Sequence, residues 1–156
     1  MCQLSIFEEP KADSLASIIF GYSHEITSTR EQLRKAFVHQ SRMLCPEYPS
    51  PLQKVTYYHQ VPRILLLSAG GSLISVNKSI KIRTLSQSHQ FRLKGVVYYG
   101  GFHFTSQIID QNNAVWYHDE QLDPNCQHEN KLSDFSETYL NSCHGRQVYL
   151  IIYCQD

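Results

Sequence analysis

The sequence has no excess of charge of either sign: 14 lysines and arginines balance 14 aspartates and glutamates. Such a chain offers no overall field to a phosphate backbone or an anionic lipid surface, so neither nucleic acid nor membrane is expected as a partner. Long apolar runs are also missing. The opening MCQLSIFEEPKAD has neither the basic start nor the extended greasy stretch of a secretory leader, and an intracellular protein is expected. Cysteine is sparse and odd in number: Cys2, Cys45, Cys126, Cys143 and Cys154 form no tight repeat. That usage fits reduced thiols better than a disulfide framework. No internal repeat and no low-complexity tract is present.

What remains is a composition with 42% hydrophobic residues and 12% aromatics over 156 residues, enough for one domain with its own core. The first third reads as helical. Leu15, Ile18, Ile19 and Tyr22 recur at helical spacing after Asp13, and Ser28-x-x-Glu31 forms a capping-box pattern ahead of Leu33, Ala36, Phe37 and Gln40. The prolines of Cys45-Pro-Glu-Tyr-Pro-Ser-Pro51 then interrupt any regular element, giving a linker or loop.

From residue 55 onward the periodicity is that of strands, predicted at 55–58, 63–67, 73–76, 80–83, 91–99, 104–109, 115–117 and 148–153, rich in β-branched and aromatic residues. The expected fold is α+β: two N-terminal helices in a segment covering residues 1–50, then an antiparallel sheet over 55–156.

One stretch invites a chemical reading. Gly95-Val-Val-Tyr-Tyr-Gly-Gly-Phe-His-Phe-Thr105 and Val115-Trp-Tyr-His-Asp119 flank Asp110-Gln-Asn-Asn113, whose residues tolerate the left-handed conformations of a hairpin turn. A turn centred on Gln111 places His103 opposite Asp119, with Cβ atoms about 5 Å apart. A carboxylate on one ring nitrogen fixes the imidazole tautomer and leaves the other nitrogen to deprotonate a thiol or hydroxyl. The plainer alternative is a strand-end histidine and a turn aspartate.

Other constellations are weaker. Cys126-x-His128 and Cys143-His144 hold four zinc-type ligands, but adjacent strand residues point to opposite faces and the spacing is unlike a structural zinc site, so no metal or other cofactor is expected. Gly70-Gly71 and Gly100-Gly101 lack the lysine and helix of a phosphate loop and read as turns; the second pair could also let an extended substrate tail pass close to the backbone. The aromatics around 91–104 lack the interleaved cations of a base-stacking platform.

The stretch from Phe91 to Thr105 resembles the histidine box of the ubiquitin-specific proteases, and Val115-Trp-Tyr-His-Asp119 resembles its tryptophan-to-acid segment. Val61-Pro-Arg-Ile-Leu-Leu-Leu67 is similar to an earlier proline-then-strand element, and Val148-Tyr-Leu-Ile-Ile-Tyr153 to the last strand of that family. Divergent fungal members with His-Phe-Thr and Trp-Tyr-His-Asp are the most similar in character.

The resemblance implies the C-terminal part of a papain-like cysteine peptidase fold, a single domain over 1–156 that looks partial. It implies His103 as general base, Asp119 as its orienting acid with Glu120 and Asp110 behind it, Trp116 as a structural neighbour, and ubiquitin or a ubiquitinated protein as partner. Two departures stand out. Phe102 occupies the place where the family usually has glycine, and nothing resembles the nucleophile box: Cys2 follows only Met1, and Cys45 precedes Pro46. Thiol-dependent hydrolysis after the ubiquitin C-terminal glycine therefore needs a nucleophile from elsewhere. The alternative is an inactive truncated copy that binds ubiquitin or another protein.

Overall fold

The computed structural model describes residues 3–5, 15–20, 24–45, 51–58 and 60–156. Along the chain these form β1 (Gln3–Ser5), β2 (Leu15–Ile19), β3 (Thr27–Ser28), α1 (Thr29–Phe37), β4 (Val38–Leu44), β5 (Pro51–Val55), β6 (Ile64–Ser68) and β7 (Ile74–Ser75). They continue as β8 (Ser79–Arg83), β9 (Ser88–Gly100), β10 (His103–Ile109), β11 (Ala114–Asp119), β12 (Asp123–Lys131), β13 (Ser142–Cys143) and β14 (Arg146–Gln155). The structure is mostly β, with one α-helix among the described residues.

The main sheet runs β12-β11-β10-β9-β14-β6-β2, with β8 added to β9 and β13 to β14. It is mixed, because β2 lies parallel to β6 while the other pairs are antiparallel. A smaller sheet, β1-β5-β4, and the two-residue pair β3-β7 complete the pairing.

The expectation of two N-terminal helices fails at the first. Leu15–Ile19 is a strand, and Ile18 meets Leu67 of β6 in a parallel ladder. Its apolar spacing suits either element over so short a span, and pairing with a buried strand decides against the helix. Tyr22 lies outside the described residues.

The second helix forms as α1. Ser28 is its N-cap, its Oγ accepting from the Glu31 N–H at 3.1 Å, and Glu31 pairs with Lys35 one turn on. It ends at Val38, where the chain turns extended, so Gln40 lies in β4 rather than on the helix. The expected strand at 55–58 is displaced toward the N-terminus: β5 ends at Val55, and Pro51 opens it at a position where a missing donor is tolerated. Residues 46–50 of the predicted loop lie outside the described residues.

One face of the main sheet is buried. Leu65, Leu67, Val96, Tyr98, Ile151 and Tyr153 are fully enclosed, joined by Phe91, Leu93, Val115 and Leu140. Several polar groups in this core are paired, as burial favours, although Thr105 Oγ1 has no hydrogen-bond partner among the described residues. Tyr98 O–H donates to Gln107 Oε1 at 2.6 Å, and Gln107 Nε2 donates to Glu129 Oε2. Tyr153 O–H donates to Asn77 O at 2.6 Å, while Thr29 Oγ1 donates to Asn77 Oδ1 and fastens the start of α1 to the sheet. No helix among the described residues is long and apolar enough to cross a membrane.

Candidate functional site

Two tight hairpins bring the site together. β9 and β10 are joined by Gly101-Phe102, with Gly100 paired to His103 and φ of 61° at both turn residues. Positive φ at both central positions is the two-residue turn whose twist matches that of paired strands. Glycine takes it freely, whereas Phe102 takes it with its ring 97% exposed. β13 and β14 are joined in the same way by His144-Gly145, which sets Arg146 beside Gly100: a Cβ on that glycine would lie 3.2 Å from Arg146 Cα.

The β10–β11 hairpin carries the acid. Its register differs from the one expected, for Ser106 faces His118 and Ile109 faces Val115, so the turn centres on Asn112 rather than Gln111. The cause is Asp110, whose backbone N–H bonds Ala114 O, while its Oδ1 accepts from the N–H groups of Asn112 and Ala114. Asn113, at φ 60°, supplies the left-handed residue that such a three-residue loop requires.

In this register His103 and Asp119 are diagonal neighbours on the same inward face rather than directly opposite. An imidazole spans that separation. His103 Nε2 lies 2.7 Å from Asp119 Oδ1, with the histidine side chain 14% exposed and the carboxylate nearly enclosed.

Asp119 has further partners. Its Oδ1 accepts from the Gln121 N–H and its Oδ2 from the Tyr117 hydroxyl, both at 3.1 Å, and Arg146 Nη2 stands 3.6 Å from Oδ2. Burial alone would raise its pKa. Hydrogen bonds from His103, the Gln121 amide and Tyr117 outweigh it and hold the carboxyl below its ordinary range. Asp119 thus both closes the β11–β12 turn and faces the histidine, leaving Nδ1 of the ring for another group.

The other acids named from sequence do different things. Glu120 is exposed. Asp110 builds the turn, and Trp116 Nε1 donates to its Oδ2. Hydrogen bonds from the Ala114 amide and the Trp116 indole hold the Asp110 carboxyl low against the effect of burial. Trp116 is only half-buried, on the sheet face opposite Asp119, with its ring edge-on to His128. Tyr117 and Arg146 were not picked out from sequence; alternation two residues before Asp119 was the available signal for Tyr117, and none pointed to Arg146.

The thiols do not complete a nucleophilic site among the described residues. Cys45 is disulfide-bonded, contrary to the expectation of reduced thiols, and Cys2 lies outside the described residues. Cys126 is exposed, Cys154 is partly covered, and Cys143 is buried. The Cys143 thiol is pushed up to about 12 by burial and then by the Glu129 carboxylate, against the opposing pull of Arg146, so it stays protonated. Among the described residues no group of three or more metal-ligating side chains comes together.

No protein-family model and no curated protein matches the sequence. Solved structures do match the fold. The SAGA deubiquitinating module of Ubp8, Sgf11, Sus1 and Sgf73 bound to ubiquitin aldehyde aligns over 91% of this chain with a TM-score of 0.58 at 14% identity. The module bound to monoubiquitin aligns over 91% at 0.57 and 14% identity, and a yeast SAGA module with altered Sgf73 over 84% at 0.51 and 14%. This chain covers 35%, 35% and 34% of the matched chains, so it spans about a third of their length. The described architecture, one helix and a large mixed sheet, is that of part of the ubiquitin-specific protease fold of Ubp8.

Proposed function

We propose that residues 1–156 form a single ubiquitin-specific-protease-like domain, the histidine-bearing part of a cysteine peptidase site that recognises ubiquitin or a ubiquitinated protein. The observation that carries this reading is the 2.7 Å contact between His103 and the enclosed Asp119, in a fold shared with part of Ubp8. Asp119 holds the imidazole with Nε2 as donor. Nδ1 is then the atom that takes the proton from a thiol, and the thiolate attacks the carbonyl carbon of the ubiquitin C-terminal glycine. His103 returns the proton to the leaving amine, and water, deprotonated by the same nitrogen, releases the acyl group. The nucleophile comes from a partner chain or from a part of the polypeptide outside the described residues.

The thiols favour a second reading, a ubiquitin- or protein-binding module that does not cleave. Cys143 is neutral and buried, and Cys45 is oxidised. A triad without its nucleophile loses most of its catalysis.

The deciding experiment is incubation with ubiquitin bearing a C-terminal electrophile, followed by mass spectrometry, alongside calorimetric titration with unmodified ubiquitin. A labelled cysteine whose reaction is lost in His103→Ala supports the peptidase. Ubiquitin binding without labelling supports the binding module. A folded chain that neither binds nor labels overturns the peptidase reading and ubiquitin as the partner of the binding module.

A further inference from the structure

A second concave region lies away from His103 and Asp119. It is a groove of about 790 Å³ between α1 and β5 on one side and β8 on the other. Its apolar lining includes Leu33, Phe37, Val55, Ile80 and Ile82, and every residue of β8 borders it.

Charge in this groove is of one sign. Arg30, Arg34, Lys81 and Arg83 line it, and no described aspartate or glutamate does. Glu31, the nearest acid on α1, is engaged with Lys35. Among the described residues Arg34, Lys81 and Arg83 make no ion pair, and Arg30 is turned onto the Ser79 carbonyl, its Nε and Nη2 donating at 3.1 and 3.0 Å. A cationic cluster on a protein with no net charge is a local feature that attracts anionic groups.

The backbone of β8 adds a second element of recognition. Among the described residues β8 pairs only with β9. Leu93 N–H donates to Lys78 O and Thr84 N–H to Gln87 O, which fixes the alternation of the ladder. Ile80 and Ile82 bond Phe91 and His89, so the backbone groups of Ser79, Lys81 and Arg83 point away from β9, toward the groove. The Ser79 carbonyl is capped by Arg30, while the backbone groups of Lys81 and Arg83 have no partner among the described residues.

We propose that this groove is a docking site for an extended acidic peptide segment of a partner protein, which adds as a strand along the outer edge of β8. The unpaired backbone groups of Lys81 and Arg83 supply main-chain hydrogen bonds. The half-buried Phe37, set over the buried Leu33 and Ile80, receives apolar side chains at alternate positions, and Arg34, Lys81 and Arg83 pair the carboxylates between them. A small anion would use the cations but neither the apolar floor nor the strand edge; a nucleic acid would use the cations but leave the main-chain donors and acceptors of the strand edge unmatched. This site is independent of the peptidase reading, since it shares no residue with the His103–Asp119 pair.

The test uses the full chain and fluorescein-labelled ten-residue peptides, read by anisotropy. One alternates glutamate with valine, one replaces glutamate by lysine, and one is N-methylated on alternate glutamate–valine backbone amides; a single-stranded oligonucleotide is the fourth probe. The glutamate–valine peptide should bind, with affinity falling as salt rises, and the lysine and N-methylated peptides should bind at least tenfold more weakly. The double variant Lys81→Glu, Arg83→Glu should weaken the glutamate–valine peptide at least tenfold. Both residues are exposed, and circular dichroism verifies the fold; Arg34→Glu on the facing helix should give a smaller loss in the same direction. No binding of the glutamate–valine peptide, equal binding of the lysine or N-methylated peptide, insensitivity to the charge reversals, or tighter binding of the oligonucleotide overturns the proposal. Ubiquitin binding is measured separately, so failure here leaves the reading of His103 untouched.

Discussion

Replacing Phe102 by glycine should stabilise the protein. Phe102 sits at φ 61° in the Gly101-Phe102 turn, and an L-residue in that left-handed region is disfavoured by about 1–2 kcal/mol. Its ring is 97% exposed, so removing it forfeits almost no buried apolar area. The opposing effect is the greater freedom of glycine in the unfolded chain, about 0.4–1 kcal/mol. The difference is a net gain of about 0.5–1 kcal/mol, and for a chain of this size 1 kcal/mol corresponds to roughly 2–4 °C in Tm. Thermal melts of the wild type, Phe102→Gly and Phe102→Ala separate backbone from ring: alanine removes the ring but keeps the Cβ, and should show no gain. A glycine variant no more stable than the alanine variant would refute backbone strain at this turn and imply a contact for the ring.

Further outcomes are expected. Tyr153→Phe leaves the buried Asn77 carbonyl without its 2.6 Å donor and should cost about 1–2 kcal/mol in urea unfolding, with the m-value unchanged. Nitrogen-15 spectra of His103 near neutral pH should show the proton on Nε2, and Asp119→Asn should disturb that tautomer preference. Because the Asp119 and Asp110 carboxyls lie below their unfolded value, their contribution to stability is full above about pH 4 and is lost as pH falls through the folded value. Melts from pH 7 to 2 should therefore show a shallower acid decline in Asp110→Asn than in the wild type. Alkylation with iodoacetamide at pH 8 should modify Cys126 and spare Cys143, whose thiol is buried and pushed up to about 12.

The sheet was legible where its strands are buried on one face and bounded by turn residues. Ile80–Arg83, Phe91–Tyr99 and Phe104–Ile109 each fall within observed strands because alternation and β-branching act together there. β12 escaped notice because Asp123-Pro-Asn-Cys-Gln-His-Glu-Asn-Lys131 is an almost wholly exposed edge, held by the backbone of β11 rather than by an apolar face. Leu15–Ile19 was misread because its partner, β6, is remote in sequence.

At the site, the pairing of residue types could be anticipated but its geometry could not. The Asp110 side chain shifts the hairpin register, and His103 meets Asp119 on a diagonal that a directly opposed arrangement would not predict. Arg146 joins them only because the β13–β14 turn brings it against Gly100.

The position of β14 also bears on how the chain acquires its shape during synthesis. β14 lies between β9 and β6, two strands translated before it. Until its residues leave the ribosome, β9 with its hairpins and β6 with β2 have no shared strand. The central part of the sheet is therefore assembled late by contacts between remote segments, a class of pairing that forms slowly and leaves open strand edges in the interval. Nascent chains stalled before Arg146 should accordingly be more vulnerable to proteases and to self-association than those stalled once Gln155 has left the ribosome.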